Sequence, residues 1–313
     1  MTNLAVIIPV YNAAPFLRAA LGSIAAQTNT DFRCFVIDDG SSDESADIAV
    51  ALGRQDRRFV AHRRSHQGVV AALNVGIELS EGHGNFIARM DADDIAKPER
   101  FERQLSYLER HPEVLALGSS MDVFASNSSK VTFLSAVTDS ARLHGELVTD
   151  CRLYHPTVMM RRDALAAVGS YRPFFWPAED HDLWLRFSEI GRLANLPEPL
   201  LSYRRHPGQV GRRFHVEQIV ASAAAVYAGY CRRRGQSDPA ATASRPQDLA
   251  CALVDALIKG GFPLTKLSIR LGIRAIAALE GSNQDRDRAR ELRKAFRRRL
   301  ATPQFPWYWA QLL

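Results

Sequence analysis

The sequence lacks the features of several protein classes. Its 313 residues contain no run of about 18 consecutive apolar residues, the length that a membrane-spanning helix needs. The start, MTNLAVIIPVYN, has no basic segment of the kind that opens a signal peptide. The four cysteines form no CxxC pair, so neither a disulfide framework nor a zinc site is predicted. We therefore expect a cytoplasmic protein.

Two common phosphate-binding motifs are also absent. No GxGxxG segment follows a predicted strand, and neither GxxxxGKS nor GxxxxGKT occurs. Any phosphate group must therefore be bound by another device. The formal net charge of +6 nevertheless favours an anionic partner, such as a nucleotide, a nucleic acid or a membrane surface.

Short apolar runs alternate with helical patterns over the first part of the chain. Strands are predicted at Leu4–Ile8, Arg33–Ile37, Phe59–His62, Asn85–Met90, Val114–Leu117 and His155–Met160. This alternation is typical of a mostly parallel sheet flanked by helices, so the predicted fold class is α/β. Further helices are predicted at 214–234, 246–259, 264–279 and 286–300. We therefore expect an α/β domain followed by an all-helical extension.

The fourth predicted strand ends in an acidic cluster. In the stretch NFIARMDADDIAKPERF, the strand runs directly into Asp91, Asp93 and Asp94. Open α/β sheets bind ligands at the carboxyl ends of their strands, and an oxygen-rich site suits Mg²⁺ or Mn²⁺ with phosphate oxygens. The cluster therefore predicts a metal–diphosphate site. The alternative is a turn followed by a helix N-cap, because aspartate is favoured in both positions.

A second acidic segment, EDHD at 179–182, opens another predicted helix. Asp180 lies three, four and seven residues before large apolar side chains, so we expect it to point inward and Glu179 to point elsewhere. The alternative is an ordinary carboxylate in the first turn, where the helix dipole stabilises negative charge.

The C-terminal part combines a basic helix with an aromatic cluster. Seven arginines and one lysine lie between Arg286 and Arg299, and FPWYW follows at 305–309. Such a segment over residues 285–313 can lie on an anionic membrane surface. The alternative is a solvated charged face whose aromatic tail packs on the domain or on a second copy in a homodimer. No nucleic-acid partner is predicted, because the aromatic residues are not interleaved with the arginines.

Several separated motifs resemble those of one family when they are taken together. They are IPVYN at Ile8–Asn12, VIDDGSSD at Val36–Asp43, GVVAALNVG at Gly68–Gly76, MDADD at Met90–Asp94, HPT at His155–Thr157, EDHDL at Glu179–Leu183 and YRRH at Tyr203–His206. In this order they resemble the family 2 glycosyltransferases, which have the GT-A fold. The likeness spans roughly residues 1 to 210 and does not extend to residues 211–313.

The resemblance implies an inverting, metal-dependent glycosyltransferase. Its substrates would be a nucleoside-diphosphate sugar, with a UDP-sugar favoured, and an acceptor hydroxyl on a saccharide or a lipid-linked glycan. Its cofactor would be Mn²⁺ or Mg²⁺. The GT-A domain, 1–210, would divide into a nucleotide-sugar-binding half, 1–97, and an acceptor-side half, 98–210.

The resemblance also assigns roles to single residues. The implied nucleotide-binding residues are Pro9, Tyr11, Asn12, Asp39, Gly68, Asn74 and Asp91. The implied metal-binding residues are Asp93 and His206, and the alternative for His206 is an ordinary loop residue. Asp180 would be the general base, Glu179 would orient the acceptor, and His155 and Trp184 would lie on the acceptor side. Asp94 keeps the turn or N-cap role.

Two other functions are alternatives to a glycosyltransferase. A sugar-1-phosphate nucleotidyltransferase would have a glycine-rich, basic loop after the first strand, whereas this chain has VYNAA at 10–14. A non-catalytic nucleotide-sugar-binding or membrane scaffold protein would not need Asp93 and Asp180. Both residues therefore favour an enzyme.

Overall fold

The computed structural model describes residues 3–125, 130–147, 150–263, 265–282 and 284–300, which fall into two units. The first unit comprises the described parts of Met1–His144, Arg152–Tyr171 and Ile190–His206. The second comprises the described parts of Gly145–Cys151, Arg172–Glu189 and Pro207–Leu313. The predicted divisions at residues 97 and 210 stay predictions.

The first unit contains one mixed sheet. Its strands are β1 (Leu4–Val10), β2 (Phe32–Asp38), β3 (Phe59–Arg63), β4 (Phe86–Arg89), β5 (Ile95–Ala96), β6 (Val114–Ala125), β7 (Val131–Leu134), β8 (Met159–Arg161) and β9 (Arg192–Arg205). Their order is β3-β2-β1-β4-β8-β6-β9-β5, with β7 paired to β6. The first four strands are mutually parallel, as are β6 and β9, whereas β5, β7 and β8 pair antiparallel to their neighbours.

Twelve α-helices occur in the described residues. They are α1 (Ala14–Ala25), α2 (Ser45–Gln55), α3 (Val69–Leu79), α4 (Arg100–Arg110), α5 (Ser140–Glu146), α6 (Arg162–Val168), α7 (Glu179–Ile190), α8 (Val210–Arg213), α9 (His215–Arg233), α10 (Pro246–Lys259), α11 (Lys266–Glu280) and α12 (Arg286–Leu300). None of these described helices combines the length and the apolar character that crossing a bilayer requires.

The apolar runs explain why the central strands were predictable. Every residue of β1 except Pro9 is buried, because parallel neighbours flank it on both sides and helices cover the sheet. The first four predicted strands and the four C-terminal helices are confirmed to within about two residues. The strand predicted at His155–Met160 is wrong in its first half. His155–Thr157 form a 3₁₀ turn, and only Met159–Arg161 pair with the sheet.

The turn before β4 contains two glycines, Gly82 and Gly84. The backbone conformation favours glycine at both positions, whereas close packing requires it only at Gly84. Both have a positive φ, +83° and +75°. A Cβ on Gly84 would lie 2.4 Å from the carbonyl carbon of Asn3, whereas a Cβ on Gly82 would meet nothing within 4 Å. We expect Gly82→Ala to lower the free energy of unfolding by about 1 kcal/mol, and Gly84→Ala by about 2 kcal/mol more, because the clash is with backbone. Urea unfolding of both variants measures the difference, and equal losses would refute the packing argument.

Candidate active site

The acidic loop, which carries Asp91, Asp93 and Asp94, lies at the carboxyl end of β4, beside the carboxyl end of β1. Asp91, Asp93 and Asp94 each offer an oxygen, and these atoms all lie within 4.8 Å of one another. Trans ligand oxygens around Mg²⁺ are about 4.2 Å apart, twice the usual metal–oxygen distance. The three carboxylates therefore need only small movements to bind one hard cation.

Each carboxylate of the loop has a different protein partner. The guanidinium of Arg89 binds both oxygens of Asp91, at 2.9 and 2.5 Å. The Nε2 atom of His206 lies 2.7 Å from Oδ2 of Asp93. Asp94 is completely buried; its Oδ1 accepts the backbone N–H of Arg204 at 2.8 Å, and its Oδ2 has no hydrogen-bond partner among the described residues.

The electrostatics of the loop are those of crowded negative charge. Burial, followed by the neighbouring Asp91 carboxylate, raises the pKa of Asp93. Burial and the carboxylates of Asp91 and Asp93 raise the pKa of Asp94 well above its usual range. A divalent cation would remove this repulsion, so the donor set fits the predicted metal.

The predicted role of Asp94 is confirmed only in part. Its N–H lies 3.4 Å from the carbonyl oxygen of Asp91, as a turn requires. The N-cap prediction is wrong, because α4 begins at Arg100 after Glu99, with no side-chain cap. The carboxylate of Asp94 instead turns inward to the end of β9.

The strand ends of β1 and β2 bring together four of the predicted nucleotide-binding residues: Pro9, Tyr11, Asn12 and Asp39. The ring of Tyr11 is half-exposed and stacks on His66, with centroids 4.1 Å apart. Asn12 has a φ of +49°, and its side chain accepts the N–H of Ser42 at 2.8 Å. An exposed aromatic surface thus lies beside hydrogen-bonding groups at this edge of the sheet.

Asp39 is buried and already engaged with the loop before α3. Its carboxylate accepts the backbone N–H groups of Gln67 and Gly68, the latter at 2.7 Å, and lies 2.8 Å from Nδ1 of His66. Asp39 and Gly68 are therefore in direct contact, as two residues of one nucleotide site would be. The predicted hydrogen bond from Asp39 to a base stays a prediction.

Asn74 and His155 lie against a different segment. The Asn74 side chain donates to the carbonyl of Tyr171 at 2.9 Å and accepts from the hydroxyl of Ser170 at 2.7 Å. Nε2 of buried His155 lies 2.8 Å from the hydroxyl of Tyr171. Burial, then the charge of Arg89, lowers the pKa of His155 well below its usual range, so the ring is neutral at pH 7. Their nucleotide and acceptor roles stay predictions.

Helix α7, in the second unit, carries the other acidic candidates. Oδ1 of Asp180 accepts the backbone N–H of His181 at 2.7 Å, and Sγ of Cys151 lies 3.5 Å from Oδ2. The prediction that Glu179 points away from the interior is wrong, since Glu179 is buried. Asp180 is half-buried, and its inward orientation stays a prediction. The periodicity argument assumes one buried face, whereas positions 181–187 of this helix are all buried. Trp184 has no exposed surface, and its acceptor-side role stays a prediction.

Sequence reasoning missed the buried polar groups next to Asp180. Nε2 of His181 lies 2.6 Å from the carbonyl oxygen of Leu147, so it must carry a proton, and Nδ1 lies 2.5 Å from the hydroxyl of Ser222. Burial lowers the pKa of His181. Asp182, also buried, forms ion pairs with Arg172 and Arg186. The four-residue spacing of Asp182 and Arg186 was the available signal.

The first unit also holds functional candidates that were missed. Arg89 pairs with Asp91 from inside the sheet, and buried Arg100 donates to the carbonyl of Arg89 at 2.7 Å. Burial lowers the pKa of Arg100 to about 9. The available signal was an arginine within a strand predicted to be buried, because an unpaired charge there is costly.

Comparisons with known proteins agree on one family. Residues 5–169 match the model of Glycosyl transferase family 2. The amylovoran biosynthesis glycosyltransferase AmsE of Erwinia amylovora is 32% identical over 212 residues, covering 66% of this chain and 78% of that protein.

Solved structures match most of the chain at low sequence identity. S. aureus TarS 1–349 in complex with UDP-GlcNAc has a TM-score of 0.59 and 18% identity, covering 95% of this chain and 92% of that one. The mannosyltransferase PcManGT from Pyrobaculum calidifontis, in complex with GDP-Man and Mn²⁺, has a TM-score of 0.53 and 15% identity, covering 99% and 84%. The predicted α/β fold class, a GT-A sheet with helices and a helical C-terminal part, is confirmed. The chain belongs to glycosyl transferase family 2 and has the GT-A fold.

Proposed function

We propose that this glycosyltransferase moves a sugar from a nucleoside-diphosphate sugar to an acceptor hydroxyl, with inversion and with the help of Mn²⁺ or Mg²⁺. The observation that carries the proposal is the acidic loop at the carboxyl end of β4, where three carboxylate oxygens lie within 4.8 Å. UDP-GlcNAc in TarS, and GDP-Man with Mn²⁺ in PcManGT, support a nucleotide-sugar donor and a metal. A UDP-sugar is the favoured donor.

Asp93 and His206 would bind the cation. Their side chains are only partly exposed, and they already lie 2.7 Å apart. The bound cation would neutralise the diphosphate that leaves as the glycosidic bond of the donor breaks. Asp91 is held by Arg89 and would contact the ribose or a metal-bound water. Asp94 would stabilise the loop through its buried hydrogen bond to the backbone N–H of Arg204.

The nucleotide would lie over the ends of β1 and β2. Tyr11 supplies an exposed aromatic face, and Asp39 and Asn12 hold the loops that surround it. In this arrangement the protein binds the base and ribose through rigid strand ends, while the acidic loop receives the diphosphate.

Asp180 would remove the proton from the acceptor hydroxyl as that oxygen attacks the anomeric carbon. The attack comes opposite the departing diphosphate, so an α-linked donor gives a β-linked product. The Asp180 carboxylate is half-buried and is oriented by the N–H of His181, and an ionised carboxylate is able to accept a proton. Glu179 would orient the acceptor.

The acceptor would be a saccharide or a lipid-linked glycan. AmsE, a relative at 32% identity, is described as an enzyme of amylovoran biosynthesis, which supports a polysaccharide pathway. The decisive experiment is a panel of UDP-, GDP- and dTDP-sugars with Mn²⁺, scored by thermal stabilisation and by slow donor hydrolysis. Stabilisation and hydrolysis with one class would identify the donor. A protein that neither binds nor hydrolyses any of them would refute the proposal and leave a scaffold function.

Helix α12 would bind an anionic membrane surface at the inner face of the cell membrane. Its apolar side chains Ala289, Leu292, Phe296 and Leu300 are buried. The sequence RDRARELRKAFRRRL carries eight basic and two acidic residues, so the exposed face is strongly positive. Binding would therefore be electrostatic rather than by insertion of this helix. The aromatic segment 305–309, and with it the alternative in which this segment packs on the domain or on a second copy in a homodimer, lies outside the described residues.

Vesicle binding tests this surface. Each exposed basic residue near an anionic surface contributes about 1 kcal/mol, so Arg290→Gln with Arg298→Gln should weaken binding to phosphatidylglycerol vesicles about 30-fold. Neutral vesicles serve as the control, and salt should weaken binding further. Sedimentation that depends neither on lipid charge nor on these arginines would refute the membrane role.

A further inference from the structure

The last residues of β9 are tied to the acidic loop through Arg204. The backbone N–H of Arg204 donates to Oδ1 of Asp94 at 2.8 Å, and its side-chain Nε donates to the carbonyl oxygen of Asp93, also at 2.8 Å. Asp94 is completely buried, so this contact is sheltered from water. Just beyond the loop, Ile95 pairs with Ser202 of β9. The loop and the strand end are therefore held together as one piece.

The guanidinium of Arg204 is itself held between two aromatic rings. It lies 5.1 Å from the ring centroid of Phe16 and 4.7 Å from that of Phe124. The ring of Phe16 also lies 4.7 Å from the imidazole of His206. Phe16 belongs to α1 and Phe124 to β6, so segments far apart in sequence fix this side chain. Cation–π contacts of this kind are attractive, so the two rings help to hold the guanidinium in place.

We propose that Arg204 is a positioning residue for the metal–diphosphate site. Its side chain fixes the peptide of Asp93, whose carboxylate lies 2.7 Å from His206 two residues beyond Arg204. The same arginine thus sets the relative position of the two proposed metal-binding side chains. Groups that orient metal ligands in this way typically change metal affinity about 10- to 100-fold when they are lost. The inference rests on the proposed metal-dependent function.

A purely structural role for Arg204 predicts a different result, and Arg58 provides the matched control. The guanidinium of Arg58 lies 4.6 Å from the ring centroid of Phe32, pairs with Asp56, and donates to the carbonyl of Ala25 at 2.9 Å. Arg58 precedes β3 and therefore lies at the opposite edge of the sheet from the acidic loop. Its contacts resemble those of Arg204 without involving the site.

The experiment compares Arg204→Lys with Arg58→Lys. Both variants keep the positive charge and lose the planar group and its directed N–H donors. We expect the dissociation constant for Mn²⁺, measured by calorimetry with UDP present, to rise about 10-fold or more in Arg204→Lys. It should not change in Arg58→Lys, although both variants should melt at lower temperature than the wild type.

Phe124→Leu tests the same proposal at a residue outside the site. It can replace Arg204→Lys if that variant does not fold. It removes one ring from the guanidinium, so Mn²⁺ affinity should fall in the same direction by a smaller factor. If the wild type binds Mn²⁺ and the folded variants Arg204→Lys and Phe124→Leu bind it equally well, the positioning role is overturned and the proposed metal site is not. A wild type without Mn²⁺-dependent UDP binding would overturn the proposed metal site and this inference together. Equal losses in Arg204→Lys and Arg58→Lys would show a general stability effect and also overturn it.

Discussion

Replacing Asp180 with asparagine should reduce sugar transfer at least about 100-fold while leaving nucleotide binding unchanged, because general-base assistance is worth about 10²- to 10⁴-fold. Asparagine has the same shape, and its carbonyl can still accept the N–H of His181, so α7 should form normally. It cannot take a proton from the acceptor. The loss should appear in kcat for transfer, with the donor dissociation constant at its wild-type value.

Asp163→Asn is the matched control for this substitution. Asp163 also lies in the first turn of a helix, α6, and its Oδ1 accepts the next backbone N–H at 2.7 Å, as in Asp180. A loss that reflects only a missing first-turn carboxylate would affect both variants alike. Near wild-type turnover in Asp180→Asn would remove Asp180 from the base role and make Glu179 the next candidate.

The local sequence determined the strands that carry the donor side of the site. The run from Leu4 to Ile8 is typical of a strand buried inside a parallel sheet, and the acidic residues after β4 follow directly where that strand ends. Tyr11 and Asp39 follow from the same reasoning. Their neighbours at the carboxyl edge of the sheet are fixed by parallel pairing rather than by chance.

Contacts between distant segments could not be predicted in this way. The bond from Arg204 to Asp94 joins residues 110 positions apart, and nothing in either local pattern indicates the other. The prediction for the orientation of Glu179 was wrong for a related reason, because neighbouring segments bury almost every side of α7. Local periodicity reports how many faces of a helix are apolar, not how many the fold covers.

Removing the Asp93 carboxylate, by Asp93→Ala, should abolish metal-dependent nucleotide binding. Asp93 is proposed to bind the cation directly, and the nearby guanidinium of Arg89 is already engaged by Asp91. EDTA should have the same effect on the wild type. The variant should still fold, because the carboxylates of the loop repel one another when no cation is present. Calorimetric titration of UDP, with and without Mn²⁺, measures both effects.

Asp31→Ala controls for the loss of an aspartate. Asp31 precedes β2 at the amino edge of the sheet, and its Oδ2 accepts the N–H of Asn3 at 3.3 Å. This variant should bind UDP and Mn²⁺ as the wild type does. Undiminished, metal-independent binding of UDP by Asp93→Ala would reject the metal assignment. Binding that stays metal-dependent in Asp93→Ala would instead transfer the ligand role to Asp91 or Asp94, whose oxygens lie within the same 4.8 Å. The two results distinguish a site without a cation from one whose cation is bound by a neighbouring carboxylate.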